Sequence, residues 1–163
     1  MQSSRYSYCD SPVGALLLVA RAEGLAEIHF PGRGRRAGAN SDWIEDDSAL
    51  SEPARQLGAY FAGELESFDL ALAPEGTPFE QKVWAELLKI PYGETVSYGE
   101  LARRIGNPQA SRAVGLANGS NPIPIIIPCH RVIGSNGKLT GYGGGLAIKE
   151  KLLALEKRQL WLI

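Results

Sequence analysis

Apolar residues follow two patterns along this chain, alternating in its first half and helical in its second. Tyr6 and Tyr8 alternate with polar neighbours, residues 10–14 carry turn formers, and residues 15–20 form a short apolar run. Short runs bounded by turn signals predict strands. Glu23-Gly24 predicts a hairpin turn into residues 25–30, where Ala26, Ile28 and Phe30 face one way and Glu27 and His29 the other. A small antiparallel sheet results. Leu50, Ala54, Leu57 and Phe61 then repeat at i, i+4, i+7 and i+11, the spacing of an amphipathic helix covering that sheet. The intervening stretch, with Arg33, Arg35 and Arg36 followed by an acidic patch, reads as an exposed loop of mixed charge.

The second half opens with Thr77-Pro78-Phe79-Glu80, where Thr77 caps a helix, Pro78 fits its first turn and Glu80 completes a capping box. Phe79, Val83, Leu87 and Ile90, flanked by Trp84 and Leu88, form its apolar stripe, and Pro91-Tyr92-Gly93 ends it. Ser97 and Glu100 suggest a second capping box, opening a short helix with Tyr98, Leu101, Ala102 and Ile105 on one face. Gly106-Asn107-Pro108 is a tight turn expected to supply the cap and first-turn proline of a third helix over 108–119. Helix, short turn, helix is a helix-turn-helix pattern. Arg112, Gly115 and Gly119 share a face of the third helix, and the missing side chains would let another surface approach closely. The fold class is therefore α/β (α+β): a 1–74 domain of sheet and covering helix, then a mainly helical 75–163 domain.

Composition narrows the possibilities. With 163 residues, 44% apolar and 21% charged, the chain can build a core and is neither disordered nor fibrous. No apolar run reaches the ~18 residues of a membrane span, and the N-terminus lacks the marks of a signal peptide, so a cytoplasmic location is expected. Cys9 and Cys129, with only His29 and His130, are too few for a disulfide scaffold or a metal cage, so reduced thiols and no metal are expected. The net charge of -1 hides an asymmetry. Residues 1–76 hold 6 Lys+Arg against 12 Asp+Glu, whereas residues 77–163 hold 11 against 6. A net of -6 beside +5 gives the second half a field that suits a polyanion.

Candidate chemistry concentrates after Asn121, in Pro122-Ile123-Pro124-Ile125-Ile126-Ile127-Pro128-Cys129-His130-Arg131-Val132-Ile133. Prolines and isoleucines predict an extended, buried segment that delivers Cys129 to a rigid site. An adjacent imidazole and guanidinium favour its thiolate. Glu156 falls inside the apolar stripe of the last helix, marked by Ile148, Leu152 and Leu155, where a carboxylate needs a partner. His130 is one candidate, giving a Cys-His-Glu relay in which Glu156 fixes the imidazole and His130 takes the thiol proton. The alternatives are that Glu156 snorkels at the helix end or pairs with Arg131. The glycine-rich stretch 134–145 exposes backbone amides to an anion or planar ligand, or is a plain flexible connection; it lacks the Lys-Ser/Thr ending of a P-loop.

These residues are recognisable together. The stretch Asn121 through Val132 resembles the active-site signature of O6-alkylguanine-DNA alkyltransferases, the methylated-DNA–protein-cysteine methyltransferases. The likeness runs from Thr77 to Glu156 and takes in Pro91-Tyr92-Gly93-Glu94-Thr95-Val96-Ser97-Tyr98-Gly99, Gly106-Asn107-Pro108, Arg112-Ala113-Val114-Gly115 and the Tyr142 to Gly145 loop. It is looser over the first half, at Asp10-Ser11-Pro12-Val13-Gly14 and Tyr60-Phe61-Ala62-Gly63.

The resemblance implies that Cys129 is nucleophile and irreversible alkyl acceptor, that His130 is its base through water, and that Glu156 orients His130. It makes Asn121 the hinge between recognition helix and active-site strand, and Arg112 a finger filling the gap left by an extruded base. Tyr98 would touch a phosphate and the flipped guanine, with Tyr142, Gly143 and Gly144 lining the pocket. Gly115 and Gly119 would face the minor groove. The implied partner is double-stranded DNA carrying O6-alkylguanine, or less readily O4-alkylthymine, bound by a monomer that can cluster along DNA, with no cofactor. Gly143 stands where some relatives carry a hydroxyl, and Ser120 where several carry a base. The first half lacks the zinc ligands of some relatives. Two other classes stay open: a cysteine hydrolase using the same relay, and an adaptor that binds lesions without repairing them.

Overall fold

The structure is a computed structural model and describes residues 3–32, 37–139 and 141–157. Arg33, Arg35 and Arg36 lie outside the described residues. Contacts divide the chain into two compact units, Met1–Pro74 and Glu75–Ile163. Among the described residues no helix is long and apolar enough to cross a membrane.

In the first unit β1 (Arg5–Cys9), β2 (Leu16–Arg21) and β3 (Gly24–His29) pair antiparallel in chain order. A two-residue strand, β4 (Ile44–Glu45), adds a parallel edge beside β1, so the sheet is mixed rather than purely antiparallel. Two residues are too few to carry a readable alternation. Leu16, Leu17, Leu18 and Val19 are all buried, which is why the central strand reads as a continuous apolar run. On β3 the expected alternation fails at Leu25, which is buried beside Ala26. A bulge between Val19 and Ala20 shifts the register there. Leu25 also exchanges backbone bonds with Ala71 and Ala73. Gly24 makes this close approach possible: at φ 145° a Cβ would stand 2.4 Å from the Ala71 carbonyl oxygen.

The covering helix α1 (Ser51–Phe61) buries Gln56, Leu57 and Tyr60, while Ala54 and Phe61 are only half-buried and Leu50 belongs to the preceding 3-10 turn. Its inner face is thus rotated from the expected stripe. Gln56 is tolerated inside because its amide exchanges two bonds with the Asp69 backbone, at 3.0 and 2.9 Å.

In the second unit α2 (Pro78–Leu87) starts at the expected capping box, with Thr77 and Glu80 bonding reciprocally at 2.9 and 3.1 Å. Val83, Trp84, Leu87 and Ile90 are buried, whereas Leu88 is exposed. Ser97 caps α3 (Tyr98–Arg104) by accepting from the Glu100 amide. The second box is only half made, since the Glu100 carboxylate turns outward to Arg103 and Arg104. The next helix, α4 (Ser111–Gly119), begins three residues later than expected. Pro108 sits instead in a turn closed by the Ala110 amide on the Asn107 carbonyl, a position its fixed φ suits equally well. Val114, Ala117 and Asn118 face inward. A two-stranded parallel ladder of β5 (Val96–Ser97) and β6 (Val132–Ile133), then α5 (Leu146–Glu156), complete the unit.

Candidate active site

The segment expected to be extended is instead tightly turned. Ile125 has φ 74°, alone among the described non-glycine residues in lying at positive φ, and Cys129–Arg131 forms a single 3-10 turn. A β-branched residue at that φ is strained and must be held by its surroundings. Asn121 helps to hold it. Its amide donates to the Ile127 carbonyl at 2.7 Å and accepts from the Ile123 amide at 2.9 Å, clamping both ends of the loop. The expectation of burial is met: residues 123–132 are all buried.

The 3-10 turn places Cys129, His130 and Arg131 in succession at the site. His130, fully buried, meets Glu156 through Nε2 at 2.6 Å. The alternative partner is present as well. Arg131 makes a bidentate pair with the same carboxylate at 2.7 and 3.0 Å, donates to the Ile90 carbonyl at 2.7 Å and lies 5.7 Å over the Tyr92 ring. Burial pushes the Glu156 pKa up, but the bonds from His130 and Arg131 outweigh it and bring the carboxyl down to about 2. Burial also lowers the His130 pKa despite its bond to Glu156, so the ring is neutral near pH 7. With Nε2 engaged by the carboxylate, Nδ1 is the position for a lone pair, and it is buried without a hydrogen-bond partner.

Cys129 sits among groups that act on its thiol in opposite directions. Burial pushes its thiol up to about 11, and the neighbouring Arg131 guanidinium is paired with Glu156. What does lower the thiol pKa is hydrogen bonding from Asn121 and Tyr142 and the charge of Lys149. The resting group is a neutral thiol surrounded by features that favour its anion.

Lys149 escaped the sequence reading. It is fully buried on α5 and donates to the Val132 carbonyl at 2.8 Å. The signal was available: Lys149 lies three residues before Leu152 and seven before Glu156, on the stripe that made Glu156 conspicuous. Asn118 was also missed. Buried on α4, it donates to the Cys129 carbonyl at 3.3 Å. No periodicity distinguishes it from a solvent-facing asparagine.

Tyr98, Arg112, Gly115 and Gly119 come together with Ser111 and Gly141 around an open cavity of about 510 Å³. Cys129 is not among its lining residues. Tyr142 is half-buried, Gly143 is exposed and Gly144 half-buried; Thr140 lies outside the described residues. A larger cavity of about 700 Å³ in the first unit, between Arg5, Arg21 and Ala71, contains none of these groups. In that unit Cys9 bonds to the Asp10 carbonyl and His29 to Glu27. Among the described residues no cluster of three or more His, Cys, Asp or Glu is gathered to hold a metal.

Comparison with known proteins gives the same regions a common identity. Residues 78–158 match the family described as 6-O-methylguanine DNA methyltransferase, DNA binding domain, and residues 4–74 match its ribonuclease-like domain. The methylated-DNA–protein-cysteine methyltransferase of Methanosarcina acetivorans is 58% identical over 151 residues, covering 93% of this chain and 97% of its own. A crystal structure of Mycobacterium tuberculosis OGT in complex with DNA shares 52% identity at a TM-score of 0.87, covering 97% of this chain and 94% of that one. The O6-methylguanine-DNA methyltransferase of Pyrococcus kodakaraensis shares 26% identity at a TM-score of 0.65, covering 94% and 98%.

Proposed function

The chain belongs to the 6-O-methylguanine DNA methyltransferase family and acts in DNA repair as a protein-cysteine methyltransferase; on that premise we propose that Cys129 is itself the acceptor, and is consumed. The observation that carries this reading is the buried cluster in which neutral His130 is held by Glu156 with its other ring nitrogen open, one residue from the thiol. His130, through a water, takes the thiol proton as Sγ attacks the alkyl carbon. The S–C bond forms as the C–O6 bond breaks, the bonding pair leaves on guanine oxygen, and the proton returns to the restored base. No second reactant converts the resulting thioether back to the thiol. One molecule repairs one lesion.

The duplex hides the O6-alkyl group, so the base leaves the stack at a cost of a few kcal/mol. Arg112 fills the vacated space from the rim of the α4 cavity, and Gly115 and Gly119 admit the minor-groove wall. Tyr98 meets the phosphate and the flipped base, and Tyr142 with the Gly143 and Gly144 amides lines the pocket and meets the departing oxyanion. In this reading α3 and α4 are a helix-turn-helix used in the minor groove, O4-alkylthymine is a poorer substrate, and the protein binds as a monomer. A DNA-bound relative supports the DNA partner.

The test is a titration of the protein with a duplex containing O6-methylguanine, followed by peptide mass spectrometry. One equivalent of methyl on the Cys129 peptide, and no more, is expected. Repaired DNA with an unmodified Cys129, or turnover beyond one equivalent, overturns the proposal. Arg112→Ala should slow duplex repair at least tenfold while leaving reaction with free O6-benzylguanine within twofold, because only the duplex demands extrusion.

A further inference from the structure

Helix α4 has two working faces. Arg112, Gly115 and Gly119 point outward, with Leu116 beside them 72% exposed. Val114, Ala117 and Asn118 point inward, and Trp84 fixes the last turn by donating from its indole to the Ala117 carbonyl at 2.9 Å. Asn118 is only 4% exposed, and its amide nitrogen reaches the carbonyl of Cys129 at 3.3 Å. The amide oxygen is buried with no hydrogen-bond partner. Rotating the amide would not help, because it would set oxygen against the Cys129 carbonyl oxygen.

A buried acceptor with no partner is destabilising, and a leucine or methionine would fill the same space without it. Stability alone therefore does not call for asparagine here. Nor is the bond needed to satisfy Cys129, whose carbonyl already accepts from the Val132 amide closing the 3-10 turn. What the Asn118 bond adds is a tie between this turn and the helix with the outward Arg112.

We propose that Asn118 is a positioning residue for alkyl transfer: it ties the backbone of Cys129 to the inner face of α4, so that the helix seated on DNA also sets the aim of the sulfur. This rests on the proposed reading of Cys129 as acceptor and of α4 as the DNA helix. In-line attack tolerates little error, and a displacement of about 1 Å can cost on the order of 100-fold in rate.

The test is Asn118→Leu, with the same branched arrangement of side-chain heavy atoms and no ability to donate. Single-turnover transfer from a methylated duplex is measured against protein concentration, with thermal melting alongside. The limiting transfer rate should fall at least fivefold, while the half-saturating concentration stays within twofold and the melting temperature is unchanged or higher. A merely structural residue would lower stability and activity together. A smaller fall in rate, or one accompanied by weaker DNA binding and a lower melting temperature, overturns the proposal. Should the leucine variant not fold, Asn118→Met, longer and more adaptable, carries the same test. Native protein that leaves Cys129 unalkylated would sink the underlying reading. Native transfer matched by the variant removes only the role of Asn118.

Discussion

Cys9 and Cys129 are both free thiols, and in both, burial comes first among the causes that raise the pKa. They differ in what surrounds them. Beside Cys9 stands Asp10, whose negative charge raises the thiol further, and the sulfur faces the carbonyls of Asp10 and Ala54. Around Cys129 every neighbour named acts the other way: Asn121 and Tyr142 bond to it and Lys149 lends positive charge. Burial therefore does not by itself set the two thiols apart. The separation lies in whether the site grows more comfortable as the sulfur becomes an anion, and whether a base is at hand to take the proton.

Removing Glu156 should blur the contrast most. Glu156→Gln leaves His130 without a charged anchor and should slow transfer by about 100-fold or more, the range for loss of general-base assistance. It also leaves Arg131 buried without its carboxylate, a loss on the order of 3–5 kcal/mol. The pH dependence has a definite sign. The Glu156 carboxyl is depressed from 4.5 to about 2 in the folded protein, so its contribution, about 3 kcal/mol, is complete above pH 4.5 and lost as pH falls toward 2. Urea midpoints measured from pH 5 to pH 2 should fall steeply for the native protein and more gently for the variant. Parallel curves would show that Glu156 does not carry the acid limb.

Lys149→Met is the next step down. Without the cation the Cys129 thiol pKa should rise by roughly one unit, an effect of the size expected for a nearby charge in a protein. A small neutral alkylating reagent reports this directly, provided Cys9 is first replaced by serine so that a single thiol responds. Below the native value of about 11 the rate should climb tenfold per pH unit, and the variant's profile should be displaced to higher pH, running about tenfold lower at pH 8. Coincident profiles would make Lys149 a packing element only. The Cys9→Ser background itself should leave transfer to Cys129 unchanged.

The same contrast explains what could be read before any coordinates. Glu156 was legible because a carboxylate on an apolar stripe demands a partner, and both partners considered, His130 and Arg131, turned out to share it. Lys149 obeys the same logic, a charged residue on the same buried stripe. The geometry of 122–133 was less accessible. A run of isoleucines and prolines signals burial, but whether it is extended or coiled depends on tertiary bonds such as those of Asn121, which no local pattern contains. The sequence likewise offers Arg131 both as a neighbour that favours the thiolate and as a partner for Glu156, and the structure shows the guanidinium paired with the carboxylate. In the first unit the bulge at Val19/Ala20 and the two-residue β4 are set by pairing with distant segments. Of the helix caps, which are local, the Thr77 box forms as the pattern predicts and the Ser97 box in part, whereas the helix expected from Pro108 starts at Ser111 with no side-chain cap.

The smallest expected effect is the mirror image of the lysine experiment. Asp10 raises the Cys9 thiol pKa, so Asp10→Asn should lower it, opposite in sign to the effect of Lys149→Met on Cys129. Asp10 is exposed, and its influence is screened by water and salt, so the change should amount to about a twofold faster reaction of Cys9 with a neutral disulfide reagent near pH 8. The measurement belongs in a Cys129→Ser background. Raising the ionic strength to about 1 M, where the screening length shrinks to roughly 3 Å, should erase most of this difference. The Lys149 effect at Cys129, between groups buried from solvent, should persist in the same salt. A salt-insensitive change at Cys9, or a salt-sensitive one at Cys129, would mean that the electrostatic contrast between the two sulfurs has been assigned to the wrong charges.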